Sequence, residues 1–268
     1  MKPVTIVLFL IAVSFTSLFP AEESQEVKPV KHRLELQYLL EYFSPKSFSS
    51  HPWKSLYVKY YGFPSTTFNY FVHAGTIFRD QKTDHILIFG TAHDWSDSFY
   101  TYTAIAAGTK ADYLPEYRFD QDLNFKFGKL RNIVWTIGAT YINYHIPAND
   151  LILSSGLMVY LPKLVIEYRL FRNRSNPGNV VSYTHLGSAG YGAEKKSWTY
   201  FTVSKGSQAY LATYITTPQE VRQKAMNLSL EHRRWITKNF GFAIDLDYVD
   251  LKQGYKKYGV FTSLFLEL

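Results

Sequence analysis

A dyad repeat runs almost the whole length of the chain, and it restricts the possible folds more than any other feature. In the run 240–248, Phe240, Phe242, Ile244, Leu246 and Tyr248 alternate with Gly241, Ala243, Asp245 and Asp247. Side chains of a strand point alternately to opposite faces, so one face of this segment is apolar and aromatic and the other small or acidic. The same contrast recurs around Leu34, Tyr117, Ile133, Leu164 and Met226. Many strands, each with one greasy and one polar face, describe a sheet that meets two solvents. A closed barrel with lipid outside and water inside satisfies that pattern.

The rest of the chain narrows the choice. With 22 Tyr and 20 Phe it is rich in aromatic residues, yet its balance of residues is too polar for a bundle of membrane helices. Beyond the N-terminus no apolar run approaches the roughly 20 residues a spanning helix needs. Only helices and closed barrels satisfy every backbone group in hydrocarbon, so a membrane protein of this kind must be a barrel. Cysteine is absent, which excludes disulfides, thiolate metal sites, a cysteine nucleophile and a lipid-anchored export signal. The formal charge is +7, but the basic residues are scattered through turns and alternate strand positions. Without a basic stripe or a recognition motif, nucleic acid is not an expected partner.

Met1-Lys2 precedes an apolar stretch from Val4 to Phe19, the layout of a secretory signal. We expect a signal peptide over residues 1–21, a flexible periplasmic lead-in over 22–32 and a transmembrane barrel over 33–268. Ser14, Thr16, Ser17 and Pro20 interrupt the apolar stretch and argue against a retained anchor.

From Arg33 onward, turn signals divide the sequence into about fourteen strands, with twelve as the alternative. Their spans are roughly 33–43, 53–61, 67–78, 85–93, 99–107, 115–127, 132–145, 150–160, 164–172, 180–189, 197–205, 221–236, 240–249 and 257–268. Odd-numbered connections read as longer than even-numbered ones, with 146–149 the exception. That alternation fits an antiparallel up-and-down barrel with short periplasmic turns, longer outward loops and both termini in the periplasm. Segments 85–93, 180–189 and 197–205 alternate poorly, which means either a misread register or strands with two apolar faces.

Parity yields candidate lumen-lining residues: Arg118, Asp120, Asp122, Glu167, Arg169, Glu231, Arg233, Asp245 and Asp247. A charge on the lipid face would cost roughly 2–4 kcal/mol near mid-bilayer, so charges belong inside. Glu231 and Arg233 are expected to pair with Asp245 and Asp247 across the tight turn between the last strands but two and one. Aromatic residues at strand ends suggest an interfacial girdle; the candidates are Trp53, Tyr61, Trp95, Tyr113, Tyr144, Tyr160, Trp235 and Tyr255.

Chemistry is harder to find. Some membrane barrels hydrolyse lipid with a Ser and a His on one strand. The nearest candidates, His185 and Ser188, stand three apart and so fall on opposite faces of a regular strand. His73 and His85 flank one turn, but no further metal ligands are obvious. No catalytic residue, metal or cofactor is assigned.

Tyr100-Thr101-Tyr102, the run Tyr113-Leu114-Pro115-Glu116-Tyr117-Arg118, and Tyr160-Leu161-Pro162 leading into Ile166-Glu167-Tyr168-Arg169 resemble the YaiO family of outer-membrane β-barrel proteins. The likeness covers roughly residues 33–268. It implies a barrel in the bacterial outer membrane and no known reaction. The chain closes Phe265-Leu266-Glu267-Leu268, where such barrels commonly end in Phe; the apolar alternation persists through Leu264, Leu266 and Leu268.

The expected function is a non-enzymatic small pore or structural surface protein with weak ion selectivity. Its expected partners are outer-membrane lipid, the barrel-insertion machinery and small solutes. The alternatives are a barrel enzyme acting on envelope lipid or glycan, and a periplasmic soluble β-sandwich.

Overall fold

The computed structural model describes residues 30–45, 49, 51–79, 82–111, 114–206, 225–251 and 255–268. The segments expected to be a signal peptide and a lead-in lie outside these residues, apart from the last few before the first strand. Fourteen strands follow one another: β1 (His32–Ser44), β2 (Trp53–Gly62), β3 (Phe68–Arg79), β4 (Lys82–Ser96), β5 (Phe99–Gly108), β6 (Pro115–Phe127) and β7 (Ile133–Tyr144). The second half comprises β8 (Asn149–Leu161), β9 (Leu164–Asn176), β10 (Val180–Ala193), β11 (Ser197–Gly206), β12 (Ala225–Trp235), β13 (Phe240–Leu251) and β14 (Lys256–Glu267).

Each strand pairs with its neighbours in sequence, and β1 pairs antiparallel with β14, so the sheet closes without an edge. Closure satisfies every backbone ladder, which is the condition for a sheet in hydrocarbon. It also rules out a sandwich. Lys31 and His32 donate backbone hydrogen bonds to the Leu268 carbonyl, so the start of β1 and the end of β14 meet at one rim, here the terminal end. The opposite rim is the distal end.

The faces follow parity. On β1, Leu34, Leu36, Tyr38 and Tyr42 are exposed outward, while Glu35, Gln37, Leu39, Glu41 and Phe43 are buried inward. β14 repeats this strictly, with Tyr258, Val260, Leu264 and Leu266 outside and Lys257, Phe261, Ser263 and Phe265 inside. The two irregular registers are at Asp94/Ser96 on β4 and Pro115/Tyr117 on β6.

The poorly alternating segments are true strands. β4 carries apolar side chains on both faces: Leu87 and Phe89 point out, while Ile86 and Ile88 point in. The inward pair belongs to an apolar cluster with Tyr57, Phe71, Ile77, Ala104 and Leu114 that packs one side of the barrel interior. A second interior cluster joins Ile142, Tyr144, Ile152, Phe171 and Leu186. Much of the interior on the β3–β9 side is therefore filled with side chains.

Connection lengths depart from the expected alternation. β3 ends at Arg79 and β4 begins at Lys82, while β9 runs to Asn176 and β10 begins at Val180. The third and ninth connections are thus as tight as the even-numbered turns, because the strands extend past the polar residues that read as loop.

Candidate functional site

All nine lumen candidates lie on the inner face, in two groups. On β6 to β9 they form tight ion pairs. Arg118 Nε and Nη2 donate to Asp120 at 2.8 and 2.7 Å, and Thr140 donates to the same carboxylate at 2.6 Å. Arg169 Nη1 donates to Asp122 Oδ2 at 3.0 Å, and its Nε donates to Ser154 Oγ at 3.1 Å. Such bidentate grips fix guanidinium and carboxylate in one geometry. The Arg169 guanidinium passes over Gly138, where a Cβ would strike Arg169 Nη2, Asp122 Oδ1 and Ser154 Oγ.

The other five, Glu167, Glu231, Arg233, Asp245 and Asp247, line a cavity of about 620 Å³ bounded by β1–β3 and β8–β14. Sequence reasoning missed most of its remaining wall. Arg33, Glu35, Lys59, His73 and Lys257 supply charge and a ring nitrogen; Gln37, Asn227, Ser188 and Thr202 supply neutral polar groups. Strand parity carried the signal for each, since they share the dyad phase of the residues that were found.

The expected pairing between β12 and β13 does not form. The register sets Glu231 opposite Asp245, Arg233 opposite Ala243 and Ser229 opposite Asp247. Arg233 reaches instead to Glu35 on β1, Nη2 to Oε2 at 3.2 Å, and its Nε stands 3.7 Å from Glu231. Glu35 also lies 3.8 Å from Lys59. Lys257 bonds Glu41 and stands 3.9 Å from Asp247. At the terminal rim Glu267 accepts from Arg33, Lys195 and Trp235 Nε1.

Most of the expected girdle points inward. Trp53, Tyr61, Tyr144, Tyr160 and Trp235 share the inner phase of their strands. Tyr61, Tyr160 and Trp235 line the cavity, together with Trp198 and Tyr200. Tyr144 donates its hydroxyl to buried Asp150 at 2.8 Å. Trp53 packs on Phe43 at 4.4 Å and under Arg79 at 4.8 Å. Tyr255 packs at the distal end against Ala225, Val249 and Leu251; burial raises its phenol above the usual value. Trp95 does face outward, and Tyr113 lies outside the described residues. Position at a strand end was the wrong criterion, because an interfacial ring must also have outward parity.

A different aromatic belt occupies the outer face near the terminal rim. Its rings follow one another across three strands: Tyr60–Tyr70 at 6.0 Å, Phe68–His93 at 5.8 Å and His93–Trp95 at 4.3 Å. It continues through Phe99–Phe125 at 5.1 Å and Phe125–Trp135 at 5.7 Å. Amphipathic rings prefer headgroup depth, so the belt marks a membrane boundary.

His185 and Ser188 are held apart on opposite faces. His185 meets Tyr168 on the outside at 2.7 Å, and Ser188 meets Thr202 on the inside at 3.0 Å. They cannot act as base and nucleophile on one substrate. His73 and His85 are separated in the same way, inward and outward. Among the described residues no three His, Asp or Glu gather as metal ligands.

Comparison with known proteins agrees with this geometry. A family model described as a YaiO membrane beta barrel domain matches residues 31–211. No curated protein shows significant sequence similarity to the chain. Solved structures share the fold at low identity. The CymD monoaromatic hydrocarbon channel aligns at 8% identity and a TM-score of 0.59, covering 89% of each chain. An outer membrane channel from Pseudomonas putida F1 aligns at 9% and 0.54, covering 92% of this chain and 100% of its own. The outer membrane protein Omp33 of Acinetobacter baumannii aligns at 12% and 0.53, covering 89% and 99%.

Proposed function

This chain belongs to the YaiO membrane β-barrel family and lies in the bacterial outer membrane, and on that premise we propose that it is a narrow pore for small hydrophilic solutes. The observation that carries this reading is the interior cavity of about 620 Å³, lined by groups of both charge signs. A barrel whose only task was to hold its shape would fill that volume, as the β2–β5 side does with its apolar cluster. Wall charges that face water rather than packed side chains are what a solute path requires.

In this reading the terminal rim faces the periplasm and the apolar outer face meets lipid. The last strand, with its outward Val260, Leu264 and Leu266, is the part presented to the insertion machinery. The apolar clusters narrow the path, so conductance is small. The cavity wall carries Glu35, Glu167, Glu194, Glu231, Asp245 and Asp247 against Arg33, Lys59, Arg233 and Lys257, which gives a weak preference for cations.

Planar-bilayer recording of the purified barrel tests the proposal. Discrete small conductance steps, with a reversal potential of cation-selective sign in a KCl gradient, support it. A barrel silent at all voltages overturns it and leaves a structural surface role.

A further inference from the structure

We infer that the cavity wall formed by Glu231, Asp245 and Asp247 binds an organic cation bearing primary ammonium groups, of the linear polyamine type. The inference rests on the cavity being open to solutes, as proposed above.

Glu231 and Asp245 are direct partners across β12 and β13, both directed inward, and Asp247 is the next inward residue on β13. Like charges placed directly opposite on neighbouring strands destabilise a sheet unless something compensates them. The cations on this wall are shared between carboxylates: Arg233 lies 3.2 Å from Glu35 and 3.7 Å from Glu231, and Lys257 bonds Glu41 and stands 3.9 Å from Asp247. Asp245 makes no ion pair among the described residues, and its Oδ1 lacks a hydrogen bond. A positive ligand seated between Glu231 and Asp245 supplies the compensation that Asp245 lacks.

A second observation is independent of the acids. Gln37, His73 and Asn227 are 7%, 6% and 4% exposed and line the same cavity. Gln37 Oε1, His73 Nε2 and Asn227 Oδ1 have no hydrogen-bond partner. Buried polar atoms are nearly always paired in folded proteins, and an unpaired set around one cavity calls for a ligand or water.

The chemistry of the wall selects the ligand class. Inner-sphere chelation of a metal is not prepared, since no three acidic or histidine side chains converge among the described residues. An ammonium group offers three N–H donors and no acceptor, which suits carboxylate and amide oxygens. Tyr200 stands opposite Glu231 and stacks with Trp198 at 5.6 Å and 21°. Those ring faces attract alkylammonium cations. A neutral sugar would leave the facing carboxylates uncompensated, and an anion would meet the acidic excess.

Calorimetric titration of the detergent-purified barrel with spermidine at low ionic strength tests this, with maltotriose and Mg²⁺ as comparison probes. Spermidine is expected to bind about tenfold or more tightly than Mg²⁺, and maltotriose not at all. Glu231→Gln combined with Asp245→Asn is expected to weaken spermidine by about tenfold or more, with unchanged heat-modifiable mobility as the folding control. Absence of binding, equal binding of Mg²⁺, or an unaffected variant overturns the inference. A barrel that conducts but ignores spermidine keeps the pore and loses the cation site. One that binds spermidine but stays silent in bilayers keeps the site and loses the pore.

Discussion

Arg33, at the start of the first strand, donates through Nε to Glu267 on the last strand at 2.9 Å, across 234 positions of sequence. Glu267 is fully buried and also accepts from Lys195 and from Trp235 Nε1 at 3.0 Å. One carboxylate thus ties β1, the β10–β11 turn, β12 and β14 together at the terminal rim. The seam between β1 and β14 closes the barrel, so this carboxylate sits where closure is decided.

Replacing Glu267 with Ala removes the acceptor that Arg33, Lys195 and Trp235 share. Hydrogen bonds to charged groups are worth about 1.5–3 kcal/mol each in net stability, so a loss of at least that size is expected. Glu267→Gln retains acceptor capacity without the charge and should lose less. The readout is the temperature at which the compact electrophoretic form converts to the extended one. An Ala variant that melts with the unchanged protein would mean that the rim cluster does not hold the seam.

Gly138 and Gly187 form a matched pair for testing the β6–β9 ion pairs. A Cβ at Gly138 collides with Asp122, Arg169 and Ser154, whereas at Gly187 the nearest atom is Val203 Cγ1 at 3.8 Å. Gly138→Ala is expected to cost about 1–3 kcal/mol by forcing the ion pair aside. Gly187→Ala should be close to neutral, since it also lowers the entropy of the unfolded chain. Urea unfolding in detergent distinguishes them, and equal midpoints would show that the Arg169–Asp122 grip yields freely.

The strands were legible because burial writes a period of two directly into the residues. Every segment with a clean dyad, such as 34–42 or 240–248, became a strand with the expected outward face. Legibility failed wherever the answer depends on register or on the far wall. Arg233 was matched to the wrong residues because the turn over 236–239 sets the register, and a shift of one or two residues changes every partner; it stands opposite Ala243, while Glu231 does face Asp245 but as a like charge. The reach of Arg233 to Glu35 depends on strand tilt and stagger, which no local pattern records. The girdle failed for a different reason. The phase was readable, since Trp53, Ser55 and Lys59 alternate with Leu56 and Val58, but chain position was weighed above it. β4 looked irregular because its inner face packs an apolar cluster and does not face water.

Tyr57 is the side chain through which the bore can be changed. It is buried on the inner face, its ring covers Gly75, and it belongs to the cluster that fills the β2–β5 side. Tyr57→Ala removes that volume. Truncation of a packed aromatic costs about 3–5 kcal/mol, which a closed barrel ladder is expected to survive, and single-channel conductance should rise. Unchanged conductance in a folded variant would place the constriction elsewhere along the path.

The division between lipid and lumen can be tested with one charge placed on each side. Leu246 lies in the middle of β13, faces outward and sits between Leu230 and Val260 on the neighbouring strands. Thr202 faces inward, lines the acidic cavity and meets Ser188 at 3.0 Å. A lysine at an outward mid-bilayer position costs about 2–4 kcal/mol, because its ammonium must leave water or drag water into hydrocarbon. A lysine at 202 enters the acid-rich cavity and meets no such penalty. Unfolding by urea from phosphatidylcholine vesicles should therefore show a large loss for Leu246→Lys and a small one for Thr202→Lys. Equal losses would mean that the outer face near Leu246 does not lie in hydrocarbon, and the reverse order would exchange the assignment of the two faces.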